Sequence, residues 1–122
     1  MKPSALALVL LAGCSTGPVL TKQLGDYIAH QHPPLSSAEV DRLYARQVQL
    51  GDSLERVKAA WEGCEIELTR NDGALAIYDA HVPYGARKIH VGSETVGENG
   101  KLILTFERKQ LKFFVVLEAG VR

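Results

Sequence analysis

The hydrophobic pattern of the chain changes its period at Gly63, and this change limits the folds that the chain can adopt. Before Gly63, apolar residues recur every three or four positions, which is typical of helices with one buried face. After Gly63 they alternate with polar residues, which is typical of strands with one buried face. The length of 122 residues fits one domain. We therefore expect an α+β domain in which helices precede strands.

Two helices are predicted before Gly63. The first begins after Ser36, which forms a capping box with the glutamate three residues later. It ends at Gly51, because glycine suits the left-handed position after a helix. Asp52 is expected to cap the second helix, which ends at Gly63. Trp61, near the end of that helix, is expected to be a core anchor between helix and sheet.

Five strands are predicted after Gly63. Residues 71–73, Asn-Asp-Gly, supply a tight turn between the first two strands. Residues 89–91 mark a short third strand, and residues 92–100 are expected to be a loop. The element order α-α-β-β-β-β-β predicts a two-layer α+β fold, with two N-terminal helices packed on one face of a small antiparallel sheet.

The last two strands decide which apolar side chains are expected in the core. Leu102, Leu104 and Phe106 of the first of these strands are expected on the core side. The returning strand is expected to turn Leu111, Phe113, Val115 and Leu117 to the same side. The open side of the sheet then carries an apolar patch. This patch is the first candidate partner-binding surface, and it consists of Ile103, Phe114 and Val116.

The first fourteen residues are similar to a bacterial lipoprotein signal. Lys2 precedes an apolar run over residues 5–12, which is too short to span a membrane and matches a signal peptide. The run ends in Leu-Ala-Gly-Cys, which resembles a lipobox. The resemblance implies cleavage between Gly13 and Cys14, a diacylglycerol on the Cys14 sulfur and an N-acyl chain on the new terminus. The alternative is an ordinary secretory signal in which Cys14 is incidental.

Acylation of this kind would anchor the mature chain, since two or more acyl chains hold a protein stably at a membrane. Ser15 follows the cysteine where an Asp would mark retention in the inner membrane, so the resemblance implies the periplasmic face of the outer membrane. The chain is expected to divide into a signal peptide (1–13), a lipidated tether (14–35) and an α+β lipoprotein domain (36–122).

Charge balance and motif content argue against several classes of function. The chain has 14 Lys plus Arg residues and 14 Asp plus Glu residues, so neither nucleic-acid binding nor a polybasic membrane-binding patch is expected as its main activity. The sequence has no nucleophile elbow, phosphate loop or dinucleotide fingerprint, and its four histidines lack zinc-ligand spacing. We expect no enzyme, no metal, no small-molecule substrate and no cofactor beyond the acyl groups. Cys64 is expected to face the core rather than act as a nucleophile.

A second candidate partner surface is the strand connection at residues 84–90. Loops on rigid scaffolds often carry binding residues. The alternative is an ordinary connection with solvated charges. The aromatic and basic side chains concerned are Tyr84, Arg87, Lys88 and His90.

The whole pattern is similar to the SmpA/OmlA (BamE-type) lipoprotein family and, more widely, to β-lactamase-inhibitor-like domains. That family implies a helix pair packed on an antiparallel sheet and membership of an outer-membrane protein assembly machinery. Besides the lipobox, the resemblance rests on residues 50–53 (Leu-Gly-Asp-Ser), Val57, Gly63, Leu102, Leu104, Phe106 and Leu111.

These observations predict a membrane-anchored envelope lipoprotein that acts as a non-catalytic protein-binding or scaffold module. Its expected settings are outer-membrane protein assembly or envelope integrity, with the membrane and another envelope protein as partners. The alternative is an inhibitor or immunity protein against a periplasmic muramidase, lipase or β-lactamase, with residues 92–100 entering the active site. A small-ligand or metal carrier is the third hypothesis.

Overall fold

The computed structural model describes residues 22–121, in which helices precede most of the strands. The helices are α1 (Lys22–Ala29), α2 (Ser37–Tyr44) and α3 (Leu54–Ala60). The strands are β1 (Gln47–Val48), β2 (Glu65–Asp72), β3 (Leu75–His81), β4 (Ile89–Val91), β5 (Glu94–Val96), β6 (Lys101–Glu107) and β7 (Gln110–Glu118). The expected α+β class with N-terminal helices is confirmed.

The strands divide between two sheets, where the sequence patterns predict one. An antiparallel meander has the order β2-β3-β6-β7, and a three-stranded sheet has the order β1-β4-β5 with β1 and β4 parallel. The second sheet escapes detection because β1 has only two residues and β5 only three. Helices and both sheets share one core. Trp61 is fully buried in that core, and its indole N–H donates to the Arg46 carbonyl at 2.9 Å, which confirms its role as an anchor.

Within the segment assigned to the tether (14–35), the spacing of Leu24 and Ile28 is compatible with a short helix over residues 21–30, although Gly25 lies in its middle. The structure has this helix as α1, which packs along α3. Leu24 is buried, and the Arg56 side chain donates to the Tyr27 hydroxyl at 3.0 Å. The same guanidinium lies 5.9 Å from the Tyr27 ring centroid, within cation–π range. Gly25 lowers the local helix propensity, so tertiary contacts rather than local preference stabilise this helix.

The residues assigned to the lipid anchor are not among those that the structure describes. Gly13 and Cys14, with the whole predicted signal peptide, lie outside residues 22–121. The lipobox therefore stays a prediction from the sequence.

The helix after Ser36 is shorter than predicted. Its capping box is present as expected, but it ends well before Gly51 because Arg46 adopts a left-handed conformation with φ 61°. The chain then enters β1, where buried Val48 pairs with Val91 of β4. This parallel pairing connects distant parts of the chain, so no local period reveals it.

Asp52 is buried and does not serve as the predicted helix cap, which is provided by Ser53. The Asp52 carboxylate accepts two hydrogen bonds from the Arg42 guanidinium, at 2.8 and 3.2 Å, and one from the Gln49 N–H at 3.0 Å. Its carbonyl oxygen accepts the Leu111 N–H at 2.8 Å. One residue therefore joins α2, the turn before α3 and the start of β7.

Replacing Asp52 by Asn should lower the free energy of unfolding by about 3 kcal/mol, because it leaves the mostly buried Arg42 charge without its counter-ion. Urea unfolding of the full chain measures the loss. Asp72→Asn is the matched control. Its 2.7 Å pair with Arg70 is equally short, but both side chains are more than half exposed, and its removal should cost under about 1 kcal/mol. Equal losses in the two variants would contradict the role given to burial.

Candidate functional site

The final strand carries an extra residue that reverses its faces. Leu111 lies opposite Phe106 and is buried, but the next residue to oppose β6 is Phe113, which lies opposite Thr105. Lys112 is therefore a β-bulge. Since side chains alternate along a strand, this inserted residue moves the side chains after it to the other face, up to a second register shift at Leu117.

The predicted assignment of faces in β7 is consequently wrong. Phe113, Val115 and Leu117 were expected in the core, yet their side chains are 59%, 39% and 57% exposed. Phe114 and Val116 were expected on the open side, yet they are half-buried and pack against the core. The candidate partner contacts on β7 are therefore the exposed residues Phe113, Val115 and Leu117, and not Phe114 and Val116.

Phe114 faces inward because the neighbouring three-stranded sheet leaves space for its ring. Gly92, in the turn between β4 and β5, has φ +59°, and a Cβ atom there would lie 3.2 Å from the Phe114 Cζ atom. On the other side, Phe114 lies opposite buried Leu104. Glycine at position 92 and the bulge at Lys112 therefore act together to hold this ring inside.

We call the solvent-facing side of the four-stranded sheet the outer face. Ile103 lies on it, as predicted, directly opposite Val115 and beside exposed β7 residues. The high exposure of the β7 side chains shows that no element of residues 22–121 packs over them. The apolar part of the outer face consists of Ile77, Ile103, Phe113, Val115 and Leu117.

The adjoining part of the outer face is acidic. Glu67 of β2 lies directly opposite Asp79 of β3, and both are exposed. Within the described part of the chain, neither carboxylate has a cation within 4.0 Å. Asp79 in turn lies opposite Ile103 of β6, so the acidic and apolar parts are contiguous.

A shallow depression of about 400 Å³ lies where these two parts meet, at the end of the sheet near His81. Leu117 lines it on the β7 side, and Glu67 and Asp79 line it on the other. Lys101 of β6 also borders it, directly opposite His81 in the sheet. The outer face therefore offers an apolar surface and a recess lined by two carboxylates and by the Lys101 side chain.

The second predicted partner surface, residues 84–90, belongs to a separate part of the fold. Tyr84 is 83% exposed, and Arg87 and Lys88 are also exposed. The backbone beneath them is held in place, because the carbonyl oxygens of Arg87 and Lys88 accept hydrogen bonds from the Arg46 guanidinium at 3.5 and 3.3 Å. None of these residues lies in the strands of the outer face, so the two predicted surfaces are distinct.

His90 differs from its neighbours in this segment, because it is half-buried in β4 and its Nδ1 lies 3.1 Å from the Thr95 hydroxyl. Burial lowers the pKa of His90, and the positive charges of Lys88 and Arg46 lower it further. The imidazole is therefore neutral at neutral pH and does not add to the basic charge that the sequence indicates here.

The loop predicted over residues 92–100 contains β5 and is packed into the fold. Val96 is fully buried, and the Gly97 N–H donates to the Ala119 carbonyl at 2.8 Å. Gly100 is buried as well. This segment is a short hairpin held at its base, and its exposed residues are the turn at 92–94 and Asn99.

Cys64 is half-buried and packs against the core, as expected. Burial raises the pKa of its thiol, although the Arg46 guanidinium, with Nη2 at 3.7 Å from the sulfur, acts in the opposite direction. The thiol is therefore protonated at neutral pH. Across residues 22–121, no three His, Cys, Asp or Glu side chains converge as a metal site would need.

Sequence reasoning missed the exposed residues of β7, although part of the signal is visible. Residues 113–117 read Phe-Phe-Val-Val-Leu, so both faces of the strand are apolar and one of them must meet solvent or a partner if the strand lies at a sheet surface. The sequence does not show which face this is, because the bulge at Lys112 depends on contacts with distant residues.

Comparisons with known proteins find no counterpart of this chain. No protein-family model, curated protein or solved structure matches it. In residues 22–121, no helix combines the length and the apolar character that crossing a membrane requires.

Proposed function

We propose that this protein is a membrane-anchored envelope lipoprotein that binds another envelope protein through its outer face and catalyses no reaction. The observation that carries the proposal is the exposure of Phe113, Val115 and Leu117 along one strand. Water-exposed apolar surface is costly, at about 25 cal/mol per Å². Contiguous apolar surface on a small domain is typical of interaction sites.

The backbone beneath the outer face is firmly held by the rest of the domain. Its four strands are joined by antiparallel pairing from β2 to β7, interrupted only by local register shifts. The opposite side of β6 is anchored in the core by Leu102, Leu104 and Phe106. Because this backbone is already ordered, the domain itself would lose little conformational entropy on binding a partner.

The N-terminal sequence supports the anchored location. The lipobox-like residues 11–14 and the absence of Asp after Cys14 favour lipidation and the periplasmic face of the outer membrane. Confinement to that surface raises the effective concentration of the domain near a membrane-bound partner. Together with the resemblance to SmpA/OmlA lipoproteins, this favours outer-membrane protein assembly or envelope integrity as the setting. The inhibitor alternative has less support, because its expected loop, residues 92–100, is packed.

The double substitution Phe113→Asp/Leu117→Asp should abolish recovery of the partner after cross-linking in cells, because each carboxylate would lose its water against an apolar partner surface. Both side chains are more than half exposed, so the fold should be retained, with an unchanged circular dichroism spectrum. Tyr84→Asp is the control, since it removes a still more exposed aromatic side chain from the second surface.

The control also decides between the two surfaces. Loss of partner recovery with Tyr84→Asp, and not with the double variant, would move the site to residues 84–90. Unchanged recovery with the correctly folded double variant would reject the outer face.

Replacing Cys14 by Ser should abolish incorporation of labelled palmitate and release the protein from the membrane fraction, because it removes the sulfur that would carry the diacylglycerol. Cys64→Ser is the matched control, and both labelling and membrane association should survive it. A Cys14→Ser protein that stays with the membranes would count against the lipid anchor.

A further inference from the structure

We propose that the segment bound by the outer face places a Lys or Arg side chain beside its apolar residues. This inference rests on the proposed function and adds the chemistry of the partner. Two features carry it, namely the unpaired carboxylates of Glu67 and Asp79 and the recess between them and Leu117.

The first feature is a repulsion within the sheet. Like charges directly opposite each other destabilise a strand pair, and Glu67 and Asp79 occupy such positions with no cation within 4.0 Å in residues 22–121. The neighbouring carboxylate of Glu65 differs from these two because it has a hydrogen-bond partner, the His81 Nδ1 atom at 2.9 Å. Lys101 lines the same recess, but no ion pair within 4.0 Å joins it to either carboxylate. A cation supplied from outside would remove the repulsion.

The second feature is the shape of the surface beside these charges. The recess of about 400 Å³ has Leu117 on the β7 side and the two carboxylates on the β2 and β3 side, with Lys101 of β6 between them. A Lys or Arg side chain has the matching form, with an apolar stem and a charged end. Its stem would pack on Leu117 and its charge would lie near Asp79, while neighbouring apolar residues of the partner covered Phe113 and Val115.

The size of the outer face favours a segment of a partner over a second copy of this chain. Four strands spaced at about 4.8 Å and seven residues at about 3.4 Å per residue give the outer face a flat footprint of roughly 450 Å². A standard interface buries about 800 Å² of accessible surface on each partner. A sandwich of two outer faces would therefore be small for a stable dimer. A short basic and apolar segment can cover this area completely.

The test uses a phage-displayed library of random peptides, selected on the purified full chain. Peptides retained by the native chain and lost on Phe113→Asp/Leu117→Asp should be enriched in Lys or Arg next to apolar residues. A synthetic copy of one such peptide should bind Glu67→Gln/Asp79→Asn about fivefold more weakly by fluorescence anisotropy, as expected for a solvent-accessible ion pair. Glu55→Gln/Glu94→Gln, which removes two exposed carboxylates from α3 and β5, should leave the affinity unchanged.

The possible outcomes separate this inference from the proposed function. Selected peptides without basic residues, or equal affinities for the two double variants, would overturn the inference and leave the outer face as a binding surface. Failure of every peptide to distinguish the native chain from Phe113→Asp/Leu117→Asp would reject the binding surface itself. A dimer of the native chain in gel filtration that Phe113→Asp/Leu117→Asp dissociates would make a second copy the occupant and overturn the inference.

Discussion

Asp52 places a negative charge inside the domain, where the Arg42 guanidinium balances it at 2.8 Å and Arg56 adds a weaker contact at 3.8 Å. Removing such charges from water costs several kcal/mol per ion, which is offset only when hydrogen bonds are complete. The backbone on either side of this carboxylate pairs with β7, since the Gly51 N–H donates to the Leu111 carbonyl at 2.7 Å and the Leu111 N–H donates to the Asp52 carbonyl at 2.8 Å. The Asp52–Arg42 ion pair thus holds α2 against the turn that precedes α3. The backbone of that turn pairs with Leu111 and holds this residue toward the core.

The inward positions of Leu111 and Phe114 explain why β7 needs its bulge. Residues an odd number of positions apart point to opposite faces of a regular strand. Leu111 is held inward by its pairing with residues 51–52, and Phe114 is held inward by the space that Gly92 leaves for its ring. Both positions can be satisfied only if one residue is inserted between them, and Lys112 is that residue. The apolar outer face follows from this constraint.

Local patterns predicted the parts of the fold that short-range chemistry determines. The capping box at Ser36, the buried Trp61 and the inward alternation of β6 are confirmed because each depends on neighbouring residues or on a simple period. The two-residue strand β1 and the bulge at Lys112 were missed because each depends on pairing with distant residues. For the candidate site, Ile103 was placed correctly, but a single inserted residue reversed the rest of the predicted patch.

The proposed function depends on which side chains of β7 meet solvent, and cysteine scanning tests this most directly. In a Cys14→Ser/Cys64→Ser background, single cysteines at positions 113, 114, 115 and 116 would be labelled with a charged thiol reagent. Because accessible thiols react faster, positions 113 and 115 should be labelled roughly tenfold faster than positions 114 and 116. Faster labelling at positions 114 and 116 would show an unbroken strand and would contradict the outer face described above.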